Sequence, residues 1–415
     1  MTIQWIGCAL FAAAILHTFS TKYFQRLAHV QPAHAGFWHL LGEVEVVFGF
    51  WAMVLIVALV VLHGHAAATD YVDSRDYTEP MFVFAIMVVA GSRSVLQAAR
   101  DATRMLARAV PARGSTGPYL LTLSFVPLLG SFITEPAAMT LAALMLREQL
   151  FSRAVPERLK YATLGVLFVN VSIGGVLTPF AAPPVLMVAA KWNWGFADML
   201  ALFGWKAALA VALNAAGATF LFRRRLAALA ASDERGGERV PGAIVALHLA
   251  FLAAIVAFAH HPPIFLGLLL LFLGFATAYP RFQDRLMLRE GLLVALFLAG
   301  LVVLGGQQQW WLSPLLHGMD ANTVYFGATA LTAVTDNAAL TYLASLVDGL
   351  SPEFRYSVVA GAVTGGGLTV IANAPNPAGF AILRPHFDDE AINPLGLVAA
   401  ALVPTLVAMA AFRLL

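Results

Sequence analysis

Two acidic residues stand inside otherwise apolar sequence, and the short motifs around them echo each other. Glu135 lies in Gly130 to Thr140, GSFITEPAAMT, and Asp336 lies in Val334 to Thr341, VTDNAALT. The two motifs align acid on acid and threonine on threonine. A carboxylate in apolar surroundings is costly unless it is paired, binds an ion or carries a proton. These two acids are therefore the first candidates for chemistry in the chain.

Oxygen-bearing side chains near each acid could complete a cation site. Hard cations such as sodium take carboxylate, hydroxyl, amide and carbonyl oxygens. Because a bound cation favours the ionised carboxylate, sodium and protons would compete for the same oxygens. The alternative is that an acid only caps a helix start, where a negative charge is favourable. One candidate sodium set is Asp336, Asn337, Thr369 and Asn373, a second is Thr134, Glu135, Asn170 and Thr178, and Thr335 and Asn376 are further oxygen donors.

Two more acids, Glu43 and Glu45, open an apolar stretch that reads LGEVEVVFGFW. Residues two apart point to different sides of a helix, so at most one of them is expected to face the protein interior. A solvated helix end is the simpler interpretation of both residues. The functional hypothesis is a path for protons toward the interior.

The composition indicates that these acids lie in a membrane protein. Of 415 residues, 60% are hydrophobic and 12% charged, with a mean hydropathy of +0.79. Soluble domains carry roughly 25% charged residues. Apolar segments recur at about the 20-residue length that spans a bilayer. The chain is therefore predicted to be an all-α polytopic membrane protein. The single cysteine, Cys8, excludes an intrachain disulfide, and no nucleic-acid motif is evident.

The apolar segments predict ten membrane spans and two further apolar stretches. Each of the further stretches, 118–150 and 322–348, carries one of the two acids near its middle. The predicted spans are 2–22, 40–62, 80–99, 158–190, 197–222, 243–260, 263–279, 289–306, 356–383 and 394–414.

Loop charges orient these spans, because basic residues are enriched in cytoplasmic loops. The loops after the first and third spans are basic, whereas the loop between the second and third spans is acidic. Both N- and C-termini are therefore predicted to be periplasmic, in a bacterial inner membrane. The stretch 118–150 is flanked by arginines at both ends, so it is predicted to be a re-entrant hairpin from the cytoplasm. Acidic flanks predict that 322–348 is a hairpin from the other side.

The two halves then follow one plan in opposite orientations. Residues 1–225 form the first predicted repeat, 226–242 a cytoplasmic linker, and 243–415 the second repeat. Each repeat has five crossings, a re-entrant hairpin and a Gly/Pro-broken span, which is 158–190 in the first half and 356–383 in the second. The segments 174–182 and 365–373 within these broken spans also align without gaps. Inverted repeats with discontinuous helices are typical of secondary transporters, whose sites lie at the bilayer midplane.

These motifs resemble the ion transporter superfamily, which includes NhaD-type sodium/proton antiporters and divalent-anion/sodium symporters. TDNAALT at Thr335 is similar to the acid–Asn hairpin motif of the NhaD type, and NVSIGGVLTP at Asn170 is similar to its Asn…Gly-Gly…Thr-Pro segment. The whole chain, and LGEVEVVFGFWA in particular, resembles a bacterial family described as putative sodium/proton antiporters. The first hairpin departs from the pattern, with Thr134-Glu135-Pro136 in place of an Asp-Asn pair. The resemblance implies a homodimer with a scaffold and an elevator-like transport domain in each subunit.

The sequence thus predicts a secondary active transporter that exchanges cytoplasmic sodium for protons by alternating access. Sodium is the transported ion, no cofactor is expected, and Asp336→Asn should abolish exchange. The alternative is a sodium-coupled transporter of an organic or inorganic anion with the same fold, although the acidic hairpin tips differ from the neutral tips of the symporters. A channel would differ by its conductance. An enzyme is disfavoured because no HExxH metal motif or other convincing catalytic arrangement is found.

Overall fold

The computed structural model describes residues 2–111, 113–230 and 238–415, and the side chains of Thr2 and Lys22 are not described. These residues form α-helices with short 3-10 and π turns, and no strand occurs among them. The prediction of an all-helical polytopic membrane protein is confirmed. Residues 231–237 of the predicted linker lie outside the described residues, and the division into two repeats stays a prediction.

Eleven helices lie before the predicted linker and nine lie after it, within the described residues. The first eleven are α1 Thr2–Val30, α2 Ala35–Leu41, α3 Val44–Asp73, α4 Thr78–Ala90, α5 Arg93–Ala109, α6 Thr116–Ile133, α7 Glu135–Leu146, α8 Glu157–Gly174, α9 Pro183–Ala189, α10 Phe196–Met199 and α11 Trp205–Ala228. The others are α12 Gly242–Ala257, α13 Pro262–Ala278, α14 Leu288–Gly305, α15 Gln309–His317, α16 Ala321–Thr332, α17 Asn337–Ser345, α18 Pro352–Gly365, α19 Asn376–Leu383 and α20 Pro394–Leu414.

Seven helical segments of the described chain are long and apolar enough to cross a membrane, and a bent pair raises the number to eight. Their large apolar side chains remain exposed on the outer helix faces, including those of α3, α11 and α20. A helix that is apolar around its whole circumference fits a lipid environment, where backbone groups must be satisfied within the helix. The shorter apolar helices α12 and α13 coincide with two further predicted spans.

Two of the predicted spans are bent in ways that apolar length does not reveal. The predicted span 80–99 is two helices, α4 and α5, that meet at an angle of 66° around Gly91 and Ser92. The helix α3 extends beyond the predicted end at residue 62, but Gly64 interrupts it with a φ of 85°. Glycine reaches this left-handed conformation without the steric cost that a Cβ atom imposes.

The stretch 118–150 folds back on itself. Helices α6 and α7 lie side by side in opposite directions: the Thr122 hydroxyl donates to Gln149 Oε1 at 3.5 Å, although the two residues are 27 positions apart. Closer to the turn, a Cβ atom added to Gly130 would lie 3.2 Å from the Cβ of Ala138. The chain therefore reverses around residues 134–135, as the helix-hairpin prediction requires.

Both broken spans contain a helix, an irregular segment and a second short helix. In the first, α8 ends at Gly174, a 3-10 turn covers Gly175–Leu177, and α9 begins at Pro183. In the second, α18 ends at Gly365 and α19 begins at Asn376. Helix α7 of the first half packs on α19, and α17 of the second half packs on α9. Each hairpin is thus placed against the broken span of the other half, at the centre of the molecule.

Candidate functional site

The turn of the first hairpin is conformationally strained. Helix α6 ends at Ile133, Thr134 has φ 73° and ψ 150°, and α7 begins at Glu135 with Pro136 in its first turn. Proline favours this position, because its fixed φ suits a helix start and its missing N–H would have no helical partner there. A β-branched residue with positive φ is a true outlier, and such strain is concentrated at functional sites. The strain at Thr134 places the Glu135 side chain inside the molecule.

A serine one turn before the acid attaches this hairpin to the first break. The Ser131 hydroxyl donates to the carbonyl of Gly174 at 2.7 Å and accepts from the backbone N–H of Leu177 at 2.9 Å. The carbonyl of Ser131 accepts from the Thr178 hydroxyl at 2.5 Å. The first of these bonds satisfies a carbonyl that the end of α8 leaves unpaired, and the three together hold the hairpin and the break as one unit.

Glu135 is fully buried and receives one hydrogen bond from the other half of the chain. The Asn373 amide donates from Nδ2 to Glu135 Oε2 at 2.9 Å. The second carboxylate oxygen, Oε1, has no hydrogen-bond partner. It lies against Gly175, where an added Cβ atom would come within 2.3 Å of it. One carboxylate oxygen is therefore positioned by the protein, while the other remains available for a proton or a cation.

Asp336 has a different environment, at the start of α17. Its Oδ1 atom accepts from the backbone N–H groups of Ala338 at 2.8 Å and Ala339 at 3.4 Å, so it caps that helix. The half-buried side chain lines a narrow cavity of about 50 Å³ together with Thr18, Val44 and Phe48 of α1 and α3. Asp336 is within electrostatic reach of both Glu135 and Glu45.

Three asparagines connect the second hairpin to the second break. The backbone N–H of Asn337 donates to the carbonyl of Ala372 at 3.2 Å, and the backbone N–H of Asn376 donates to the carbonyl of Asn373 at 3.1 Å. The Asn376 amide also donates to the carbonyls of Gly366 and Thr369, each at 2.8 Å. These bonds join the two hairpin turns, through Asn373 and Glu135, into a single buried network.

Five oxygen atoms of this network have no hydrogen-bond donor. They are one carboxylate, one hydroxyl and three amide oxygens: Glu135 Oε1, Thr134 Oγ1, Asn337 Oδ1, Asn373 Oδ1 and Asn376 Oδ1. One donor of the same network, the Asn337 amide nitrogen Nδ2, also has no partner. Buried polar groups are normally satisfied, so a cluster of unpaired acceptors indicates a missing positive or donating partner. Their types match the ligands that hard cations prefer. No cluster of three or more His, Cys, Asp or Glu side chains occurs among the described residues.

The remaining predicted ligands contact the protein itself. The Thr369 hydroxyl donates to the carbonyl of Ala333 at 2.8 Å, much as Thr178 donates to Ser131 in the first half. The hydroxyl of the half-buried Thr335 donates to the carbonyl of Leu331, four residues earlier in the same hairpin, at 3.2 Å. Asn170 donates to the carbonyls of Leu123 and Val211 and accepts from the Asn214 amide at 2.9 Å. These hydroxyl and amide groups hold helices together in this conformation. The contacts also cross the two predicted sodium ligand sets, because Asn373 of one set bonds Glu135 of the other.

Glu43 and Glu45, the two acids at the start of α3, have different environments. Glu43 directly precedes α3, makes no capping hydrogen bond, and forms an ion pair with Arg289 of α14, with Oε1 and Nη2 at 2.5 Å. Glu45 is half-buried, two positions further along the chain, and within electrostatic reach of Asp336. Glu45 is the better placed of the two for a proton path, which stays a prediction.

Sequence reasoning did not single out Ser131 or Ser172, although both are buried at the breaks. Ser172 donates to the carbonyl of Val363 at 2.7 Å and packs on Gly366, linking α8 to α18 across the two halves. The available signal was position: Ser131 lies four residues before Glu135, and Ser172 lies two residues before Gly174. Isolated serines in apolar helices are too common for that signal to be decisive.

Comparison with known proteins adds one finding. A family model with the description "Putative Na+/H+ antiporter" matches residues 2–415, which is nearly the whole chain. A search of curated proteins with this sequence finds no match.

Proposed function

Because the chain belongs to the putative Na⁺/H⁺ antiporter family, we propose that it exchanges sodium for protons at the buried network around Glu135. The observation that carries the proposal is the set of five unpaired oxygens at the meeting point of the two hairpins and the second break. No other part of the described chain brings a buried carboxylate together with so many free neutral acceptors.

The chemistry of the exchange follows from the two oxygens of Glu135. Asn373 holds Oε2, so the carboxylate keeps its position whether or not Oε1 is occupied. An ionised, unpaired carboxylate at this depth is unfavourable, so Oε1 takes either a proton or a sodium ion. Amide oxygens of the three asparagines and the Thr134 hydroxyl would replace part of the hydration shell of sodium. Proton and sodium exclude each other at one oxygen, which is the requirement for antiport.

Asp336 serves, in this proposal, as the relay between Glu135 and one side of the membrane. Its carboxylate faces the cavity beside α1 and α3, and Glu45 lies on the same side. Protons would pass between Glu45, Asp336 and the site as the hairpins change their position relative to α1 and α3. Neutralising Asp336 should then block proton delivery while the oxygens around Glu135 remain in place.

The cellular setting is proposed on the same basis. Antiporters of a bacterial inner membrane use the inward proton gradient to expel cytoplasmic sodium, and an elevator-like movement of the hairpins and breaks against α1, α3 and α14 would provide alternating access. A homodimer with both termini in the periplasm is the assembly that we propose.

Exchange in proteoliposomes tests the proposal. Vesicles with an acidic interior and a trapped pH dye should alkalinise when sodium is added outside and the wild-type chain is present. Glu135→Gln keeps the shape of the side chain but cannot release a proton, so exchange should fall by at least 100-fold. Lowering the external pH should raise the KM for sodium of the wild-type protein, because protons compete for Oε1.

The matched control is Glu353→Gln, which makes the same substitution at an exposed acid in the first turn of α18. It should exchange at the wild-type rate. Undiminished exchange in Glu135→Gln would remove the assignment of the site. Sodium uptake that depends on an added anion, with no proton movement, would support the sodium-coupled anion transporter instead.

A further inference from the structure

A second cavity, far larger than the one at Asp336, lies between α4, α12 and the first broken span. Its volume is about 600 Å³. We call it the outer vestibule, because the residues around it belong to loops that the charge pattern places on the periplasmic side. The residues that define it are Glu79, Phe82, Phe180, Trp194, Phe196 and His260.

Four Phe and Trp rings line the outer vestibule, together with aliphatic and small residues such as Leu186 and Val256. Phe82 comes from α4, Phe180 from the break that follows Thr178, and Trp194 and Phe196 from the segment that leads into α10. The rings of Phe180 and Phe196 lie 5.7 Å apart between centroids and are tilted by 57°. Aromatic faces attract positive charge, because the ring quadrupole is negative above and below the plane.

One carboxylate stands among these rings. Glu79, in the first turn of α4, is half-buried; its own backbone N–H forms a hydrogen bond with it, and no ion pair joins it to another described residue. Of the described residues that line the vestibule, none is a lysine or an arginine, and His260 is the other titratable one. The carboxylate therefore has no fixed counter-ion, and the vestibule has room for one.

The size of the vestibule exceeds what an inorganic ion needs. Ligand pockets for small organic molecules are typically about 300–1,000 Å³. A sodium ion with a shell of about six waters, at about 30 Å³ each, would fill only a fraction of that space. The rings would face empty volume around such an ion, whereas an organic body would cover them.

From the carboxylate, the aromatic walls and the volume, we propose that the outer vestibule binds organic cations that join an aromatic or alkyl body to a positive head group. The head group lies at Glu79, and the body packs against Phe180, Trp194 and Phe196. The ligand would contact both α4 and the first break, and so bridge two elements that lie far apart in the chain. Binding at this site does not depend on whether the chain exchanges sodium for protons.

Binding of benzyltrimethylammonium to the full chain tests the inference. The protein is placed in nanodiscs of zwitterionic lipid, which lack the negative head groups that would attract the probe, and titrated by calorimetry. The wild-type protein should bind the cation, and it should not bind phenylacetate, which carries a similar ring with a negative charge. Glu79→Gln should lower the affinity at least tenfold.

Two further variants separate the contribution of the Glu79 charge to binding from that of the aromatic rings. Asp73→Asn removes an exposed carboxylate from the end of α3, outside the vestibule, and should leave the affinity unchanged. Phe196→Leu removes a ring that is 48% exposed, without altering charge, and should lower the affinity about threefold or more. Absence of binding to the wild-type protein, equal affinity in Glu79→Gln, or an equal loss in Asp73→Asn would each overturn the inference.

Discussion

Glu135 and Asp336 occupy equivalent positions in the two motifs, yet they make different contacts. Asp336 uses one oxygen to cap α17, in the manner expected of an acid at a helix start. Glu135 is the first residue of α7, accepts one amide hydrogen bond from Asn373, and leaves its other oxygen unpaired. The sequence could show that both acids are unusual. It could not show that their neighbours differ, because Asn373 reaches Glu135 from 238 positions away in the chain.

Thr134 offers a test that separates strain from function. Its φ of 73° costs about 1–3 kcal/mol for a residue with a Cβ atom, and glycine would remove most of that cost. Thr134→Gly should therefore raise the unfolding free energy by about 1 kcal/mol, after the greater backbone entropy of glycine in the unfolded chain is included. The same change removes the unpaired hydroxyl, so exchange activity should fall. Thermal unfolding in detergent and exchange in vesicles measure the two effects.

The control for Thr134→Gly is the equivalent change in the second motif. Thr335 has no positive φ, so Thr335→Gly should lower stability by about 0.5–1 kcal/mol. Lower stability in both variants would show that Thr134 carries no relievable strain.

Gly175 provides a second test at the same carboxylate. An alanine Cβ atom at this position would lie 2.3 Å from Glu135 Oε1, so either the acid or the break must shift. Gly175→Ala should reduce exchange at least tenfold, through a higher KM for sodium. Gly217→Ala in α11 is the control, because no atom lies within 4 Å of the added Cβ. A wild-type KM in Gly175→Ala would argue against sodium binding at Oε1.

Helices α6, α8 and the first break act together because Ser131 joins them. The Gly/Pro pattern pointed to interruptions where α8 ends at Gly174 and α18 ends at Gly365, while the re-entrant hairpins and the repeat division stay predictions. The 66° bend between α4 and α5 was not predicted, because a hydropathy pattern contains no information on direction, although Ser92 and Arg93 interrupt the apolar sequence after Gly91. The attachment of the first hairpin to the first break could not be predicted either, because it depends on the single hydroxyl group of Ser131.

Removing that hydroxyl should loosen the whole unit. Ser131→Ala leaves the carbonyl of Gly174 and the N–H of Leu177 without partners in a buried position. Each unsatisfied group costs about 1–3 kcal/mol, so we expect a loss of about 2–4 kcal/mol in unfolding free energy. Amide hydrogen exchange across residues 174–178 should become faster than in the wild-type protein.

Ser124→Ala is the control on the same helix. Its hydroxyl donates only to Leu120 of its own helix at 2.8 Å, and its loss should change stability by less than about 0.5 kcal/mol. If hydrogen exchange at residues 174–178 were unchanged in Ser131→Ala, the attachment would not matter in solution.

At the scale of the whole molecule, the oxygen network lies where the two halves of the chain meet, because Asn373 of the second half bonds Glu135 of the first. Composition predicted the class of protein, whereas the orientation derived from loop charges and the role of the paired acids stay predictions. None of these features predicted the cavity between α1, α3 and α17 that Asp336 lines, because packing between distant helices leaves no local pattern in the sequence.

Movement of the hairpins against α1 and α3 can be tested by cross-linking. Val44 and Leu340 line the same cavity from α3 and α17, so Val44→Cys/Leu340→Cys in a Cys8→Ser background should be joined by a short bis-maleimide. If alternating access requires these elements to separate, the cross-linked protein should lose exchange. A pair between α3 and α14, Gly49→Cys/Leu296→Cys, lies in close contact and should be linked without loss. Full exchange by the first linked pair would exclude this movement.

The hydrogen bond from Asn373 to Glu135 has a consequence for the origin of the chain. The acid and the amide that holds it come from different halves, so one half produced alone would contain an incomplete site. If the two halves arose by gene duplication, the single ancestral unit could have worked only as a pair of subunits inserted in opposite directions in the same membrane. Separately synthesised halves of the present chain should, by the same reasoning, regain activity only when both are made in one cell.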